Sequence, residues 1–267
     1  MMGSPARYLD SHCHLQVEYP TRSAGVARMF CNGTREEDWQ AVVGLAASRR
    51  EVIPFLGIHP WFAETAGAGW EERLACLLKQ IPAGIGETGL DKSCRADFSR
   101  QQQIFATQLQ MASELRRPLV IHCVKAWGRV LEMLEGCARP LPATMIHSFS
   151  GSSETLKRLI RLGCFISFSS RLATDSKLHP CFLATPLANL LLETDGQGRP
   201  GIAGAMDGAG ATDAPAQVNG PKMFSDEAAA ISRLYQLAAE MRGMTLDEFC
   251  QEIWRNGEIF TDSILPR

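Results

Sequence analysis

Short apolar runs alternate with longer amphipathic segments along almost the whole chain. The runs are rich in β-branched and aliphatic residues and end near Asp10, Cys31, Ile58, Gly86, Ile121, Ile146, Phe168 and Leu192. Residues 118–122 and 189–193 typify them, being continuously apolar rather than alternating, as parallel strands covered on both faces are. Between the runs, apolar positions at helical spacing predict helices over 36–49, 70–80, 99–116, 126–137 and 152–162, with two more over 225–242 and 245–255. Ser152-Ser153-Glu154 supplies an N-terminal cap for one of them and Gly163 a stop. Repeated strand–helix units of this kind imply an α/β protein, either a doubly wound sheet or a closed (β/α)8 barrel.

Two segments interrupt the rhythm. Between His14 and Gly25 there is little room for a full helix, so the first crossover is expected to be truncated. Residues 196–223 are rich in Gly, Ala and Pro without a period, and read as a functional loop or as a surface loop with no role. Nothing marks a domain boundary. The 267 residues are therefore expected to form a single barrel domain, 1–267, a length ordinary for that architecture.

Charge and cysteine usage narrow the function classes. A net charge of −2, from 27 basic and 29 acidic residues, argues against a protein that holds nucleic acid by global charge. It leaves a nuclease open, because bound divalent cations bring their own positive charge to a site. The 9 cysteines contain no CxxC pair, and residues 1–7 contain no apolar leader segment. That pattern reads as reduced thiols in a cytoplasmic protein. No run approaches the roughly 18 apolar residues of a membrane span, so no membrane association is expected. No feature calls for an obligate protein partner.

The chemistry collects where apolar strands end. The first ends Asp10-Ser11-His12-Cys13-His14, and alternation along an extended segment lets His12 and His14 share one metal ion. The later ones carry Gly57-Ile58-His59-Pro60, Gly86-Glu87, Ile121-His122, Ile146-His147 and Glu193-Thr194-Asp195. Five of the 6 histidines thus share one topological position. In a (β/α)8 barrel those strand ends converge on the face that carries the active site, which favours the barrel. Imidazole suits zinc, manganese or iron, and carboxylate suits harder cations such as magnesium. A carboxylate near the middle of the set, Glu87, is the natural bridge between two ions about 3.5–4 Å apart, where a bound water becomes a usable nucleophile near pH ~7. Asp195 is placed to bind one ion and accept the proton of that water. Glu87 and Asp195 are therefore the catalytic candidates, and these two carboxylates with the five strand-end histidines are the candidate metal ligands.

Two other signals are set aside. Gly84-Ile85-Gly86-Glu87-Thr88-Gly89 matches a dinucleotide-binding pattern, but no helix start follows it. Cys13 and Cys123 adjoin ligands yet alternate away from them, and read as packed thiols rather than nucleophiles.

At these residues the chain resembles the TatD family of metal-dependent deoxyribonucleases. The resemblance runs from Tyr8 to about Phe260. It rests on Asp10–His14, Gly57–Pro60, Gly86-Glu87-Thr88-Gly89-Leu90-Asp91, Arg117–His122, Ile146-His147-Ser148-Phe149-Ser150-Gly151, Glu193-Thr194-Asp195 and the late Arg255-Asn256. It implies a phosphodiesterase acting on DNA with two divalent ions (Mg2+, Mn2+ or Zn2+), metal ligands at His12, His14, Glu87, His122, His147 and Asp195, and His59 near a substrate phosphate rather than as a seventh ligand. Cys123-Val124-Lys125 departs from the family, which often carries an arginine and an acidic residue there. Lys125 is nonetheless a candidate substrate contact. Lys92 and Arg171 follow strands too, and Trp61 and Phe62 either stack a base or pack the rim. Fold and metals alone do not choose the bond. A metal-dependent hydrolase of a small phosphoester, amide or lactone, and a non-catalytic barrel that binds a nucleic acid or protein partner and keeps its metals as staples, are the alternative readings.

Overall fold

The computed structural model describes residues 7–16, 26–195 and 227–265. Its strands are β1 (Tyr8–Cys13), β2 (Val26–Asn32), β3 (Val52–Leu56), β4 (Gly84–Asp91), β5 (Leu119–Val124), β6 (Thr144–Ile146), β7 (Phe165–Phe168) and β8 (Leu190–Leu192). They form one sheet in chain order, each neighbouring pair parallel. A doubly wound sheet would reverse its order part-way; this one does not. The two ends of the sheet meet instead. Asp195 N–H donates to the His12 carbonyl at 3.1 Å, and Thr194 donates to Asp10 through its N–H at 3.0 Å and its hydroxyl at 2.6 Å. The result is a nearly closed (β/α)8 barrel.

The helices are α1 (Glu36–Ser48), α2 (Trp70–Gln80), α3 (Phe98–Leu115), α4 (Trp127–Glu135), α5 (Ser153–Arg161), α6 (His179–Ala184), α7 (Glu227–Arg242) and α8 (Leu246–Thr261). Ser152 caps α5 by accepting from Thr155 N–H at 3.1 Å, and Gly163 beyond its end takes a positive φ of 77°. Most helix bounds agree with the apolar spacing to within two residues. The short α6 has too few turns to show a period, and α8 runs six residues past Arg255 because its last turn is buried. β4 also runs on past Gly86 to Asp91, which places Glu87 inside the strand. Residues 17–25 of the expected truncated crossover, the glycine-rich segment 196–223 and residues 225–226 of the helix expected over 225–242 lie outside the described residues.

The closed end of the barrel is filled by α8. Phe260 packs on Phe30 of β2, Phe55 of β3 and Phe165 of β7, with ring centroids 5.6–5.8 Å apart. Asn256 donates to the Leu187 and Leu190 carbonyls at 2.7 and 2.8 Å, fastening α8 to the entry of β8. The opposite end stays available for chemistry. Among the described residues no helix is long and apolar enough to cross a membrane.

Candidate metal centre

All five strand-end histidines reach one buried carboxylate. Glu87 Oε2 lies 3.4 Å from His12 Nε2 and 3.2 Å from His14 Nε2; Oε1 lies 2.9 Å from His122 Nδ1 and 2.8 Å from His147 Nε2. The fifth, His59, also faces Oε1 through Nε2, at 3.2 Å. Asp195 Oδ1 approaches His12 Nε2 at 3.8 Å. His12, His59, Glu87, His122 and His147 are buried, whereas the side chains of His14 and Asp195 keep 19% and 28% of their surface exposed. Those two therefore form the solvent-facing lip. Asp195 adopts φ 58°, a left-handed conformation that Asp tolerates better than most residues.

The main chain is brought to these positions by identifiable contacts. Gly89 has φ 139°, and a Cβ there would sit 2.0 Å from the His122 carbonyl oxygen, so only glycine lets β4 approach β5 at this level. Two glutamines two turns apart on one face of α3 satisfy backbone that the strands leave unpaired. Gln108 accepts from Ile58 N–H at 2.9 Å and donates to the Ile58 carbonyl at 3.1 Å and to Thr88 at 2.5 Å. Gln101 does the same for Asp91, accepting from its N–H at 2.8 Å and donating to its carbonyl at 3.1 Å. The segments bearing His59, Glu87 and Asp91 are thereby fixed against one helix.

Outer partners aim the rings. His14 Nδ1 donates to the Asn32 carbonyl at 2.8 Å, leaving Nε2 toward Glu87. His147 Nδ1 faces Glu193 Oε1 at 3.3 Å, and His122 Nε2 faces Asp91 Oδ2 at 3.4 Å. Asn32, Asp91 and Glu193 had no role in the sequence reading. The one available signal was that two of them are carboxylates in or next to strands that already carry a ligand.

The electrostatics follow from burial and crowding. Burial pushes His12 down to about 3 and His59 down to about 4, so both are neutral. Burial opposes charge on His14 too, but Glu87 and Asp195 outweigh it and raise His14 to about 9; Glu87 and Glu193 likewise hold His147 well above its ordinary value. Glu87, although buried, is held well below the usual carboxylate range by His59, His147 and His12. It is ionised.

This donor set fits cations. His12 Nε2 and His14 Nε2 are 3.1 Å apart, as are His122 Nδ1 and His147 Nε2, and both pairs point at Glu87. Two ring nitrogens that close, aimed at one carboxylate, are reconciled by a shared proton or by a cation among them. Among the described residues, three groups have donor atoms within 4.8 Å of one another: His12, His14 and Glu87; His12, His147 and Asp195; and His59, Glu87 and His122. Glu87 belongs to two of them, as a bridge would. Lys125, by contrast, is exposed just beyond β5 with φ 53°, outside the cluster. Phe62 is buried beneath the Arg35 guanidinium, 5.0 Å from its ring centre, and so packs the rim. Cys13 and Cys123 are buried, and burial pushes the Cys123 thiol up to about 12. The segment resembling a dinucleotide loop is strand β4, buried throughout.

The model of the family described as TatD related DNase matches residues 9–260. The chain belongs to that family. It is 28% identical over 269 residues to the uncharacterized metal-dependent hydrolase YjjV of Escherichia coli K12, covering 94% of this chain and 96% of the relative. It is 32% identical over 192 residues to the 3'-5' ssDNA/RNA exonuclease TatD of Dickeya dadantii, covering 67% and 70%. The crystal structure of the E. coli YjjV TatD homolog superposes with a TM-score of 0.79 at 26% identity, over 98% of this chain and all of that one. The barrel is accordingly that of a TatD-family metal-dependent hydrolase.

Proposed function

We propose that the chain is a nuclease that removes nucleotides from the 3′ end of single-stranded nucleic acid, using two divalent cations. The observation that carries this reading is the single buried carboxylate, Glu87, shared by two histidine pairs beneath an exposed Asp195. His12, His14, Glu87 and Asp195 would hold one cation and Glu87, His122 and His147 the other. When bound, the cations would supply Lewis acidity to a phosphoryl oxygen and ease ionisation of water.

The protein residues divide the remaining work. Glu87, locked among imidazoles, keeps the two halves of the site at fixed separation. Asp195, on the lip and in reach of solvent, accepts the proton of the water that attacks phosphorus as the P–O3′ bond breaks, and the leaving 3′ oxygen takes up a proton from solvent. His59, deeper and neutral, donates its Nε2 hydrogen toward the centre. Lys125, exposed beyond β5, meets the phosphates of the strand that trails from the site. The exonuclease activity named for the Dickeya relative supports the choice of substrate.

The test is cleavage of 5′-end-labelled single-stranded DNA and RNA with Mg2+, Mn2+ or Zn2+, with chelator and Asp195→Asn controls. The expected result is a ladder shortening from the 3′ end, abolished by chelator, with kcat down about 100- to 10,000-fold in the variant. Undiminished cleavage by the Asp195→Asn protein would overturn the role given to Asp195. Absence of cleavage by a protein carrying two ions would overturn the substrate.

A further inference from the structure

Trp61, in the turn after β3, is half-buried, whereas the next residue, Phe62, is buried. Two hydrogen bonds fix its orientation. Its backbone N–H donates to His59 Nδ1 at 3.1 Å, and its indole N–H donates to Asp91 Oδ2 at 2.6 Å. The ring stands edge to face with His59, 5.0 Å between centroids, and with His122, 6.4 Å away. The polar edge of the indole is thus satisfied inside the mouth while part of the ring stays in contact with solvent. Packing the rim covers a ring, as it covers Phe62; Trp61 is instead held in place and left partly open.

Two cations lie beside it. β4 and β5 pair as far as Asp91 and Val124, and Lys92 N–H donates to the Val124 carbonyl at 3.0 Å. Lys92 and Lys125 are the residues directly past that last rung, and both are exposed. The Lys92 ammonium lies over the Phe98 ring, 5.0 Å from its centre. Lys125 holds a φ of 53°, a left-handed conformation uncommon for lysine. Arg35 and Arg171 also follow strands, but they pair with Asp38 and Asp175. Among the described residues, Lys92 and Lys125 have no carboxylate within ion-pair distance. Two cations on neighbouring strand ends repel each other, and an anion between them relieves that repulsion.

We propose that Trp61, Lys92 and Lys125 form a subsite for the nucleotide on the 5′ side of the cleaved bond, its base stacked on Trp61 and its 5′-phosphate between the two lysines. The inference rests on the nuclease reading above, and adds to its Lys125 contact a second lysine and a place for the base. Every base has a π-face, so the subsite accepts any sequence. A base inside a duplex has both faces covered by its neighbours and cannot stack on Trp61. The subsite therefore selects unpaired strand ends.

The experiment measures binding of a short 5′-fluorescein oligothymidylate by anisotropy, on full-length Asp195→Asn protein in Mn2+, in which turnover is expected to be slow. An abasic residue in place of the penultimate base at the 3′ end is expected to weaken binding about 5- to 150-fold. Adding Trp61→Ala is expected to remove that penalty, leaving intact and abasic strands within about twofold of each other. Lys92→Gln and Lys125→Gln are each expected to lower the slope of log Kd against log salt by about 0.7, with melting temperature and Mn2+ stoichiometry unchanged. A full abasic penalty in the Trp61→Ala protein overturns the stacking, and unaltered salt slopes in both lysine variants overturn the phosphate contact. If Trp61→Ala does not fold, tryptophan emission decides: an unlabelled intact strand is expected to quench it, and to quench it less in Trp61→Phe. Undiminished quenching in Trp61→Phe overturns the proposal. No measurable affinity for the intact strand, in a protein carrying two ions, overturns the nuclease reading and the subsite with it. Retained affinity without these effects overturns the subsite alone.

Discussion

Glu87 holds an ionised carboxylate in the protein interior, which is costly unless the charge is paired and hydrogen-bonded. Here the ring nitrogens of five histidines lie 2.8–3.4 Å from its two oxygens. Glu87→Gln keeps the size but removes the charge, and presents an amide N–H₂ to at least one histidine pair. It is expected to abolish stoichiometric binding of both ions, not one, because both proposed ligand sets include Glu87. Metal analysis of the purified variant checks this; retention of two tightly held ions would refute the bridging role. This residue was legible in the sequence as a carboxylate amid strand-end histidines. Its outer partners were not. Asn32 acts through its main-chain oxygen, which no side-chain pattern reveals, and Asp91 acts through its fold neighbours Trp61 and His122.

At the scale of elements, β4 and α3 do most of the positioning. β4 leans on glycine where it passes β5, and α3 spends two buried glutamines on the backbone of its neighbours. Gly89→Ala would drive a methyl group into the His122 carbonyl while keeping a φ of 139° that alanine resists. The expected loss is at least ~2 kcal/mol of stability, read as a lower urea midpoint with an unchanged slope. A variant with wild-type midpoint would show that β4 can move aside. The strand runs were readable because buried parallel strands are uninterruptedly apolar. The end of β4 was not, since Gly89 and Asp91 are poor strand formers held there by pairing with β5 and by Gln101. The last turns of α8 were missed for a similar reason: Phe260 is helical because it fills the barrel's closed end.

For the molecule as a whole, folding and metal binding should be linked, because the ligands come from β1, β4, β5 and the segments after β6 and β8. They are brought together only by the closed barrel. A cation that binds the folded but not the unfolded chain adds about 2.7 kcal/mol at a hundredfold excess over its Kd, which for a chain of this size corresponds to roughly 5–10 °C in Tm. Chelator-treated protein is therefore expected to melt lower than protein supplied with Zn2+ or Mn2+, with reversal on re-addition. Equal melting temperatures would mean that the centre contributes nothing to the fold. The order of short apolar runs, and the recurrence of His, Glu and Asp at their ends, were enough to determine the barrel and to mark five histidines, Glu87 and Asp195 as candidates, because hydrophobic patterning and strand direction are local properties of the chain. Tertiary structure alone decided the rest: that Glu87 faces both histidine pairs, that Asp195 and His14 form the lip, and which ring nitrogen each histidine turns inward. Those depend on partners distant in sequence, such as Trp61 with Asp91 or Asp10 with Thr194, and no periodicity along the chain encodes the angle at which they meet.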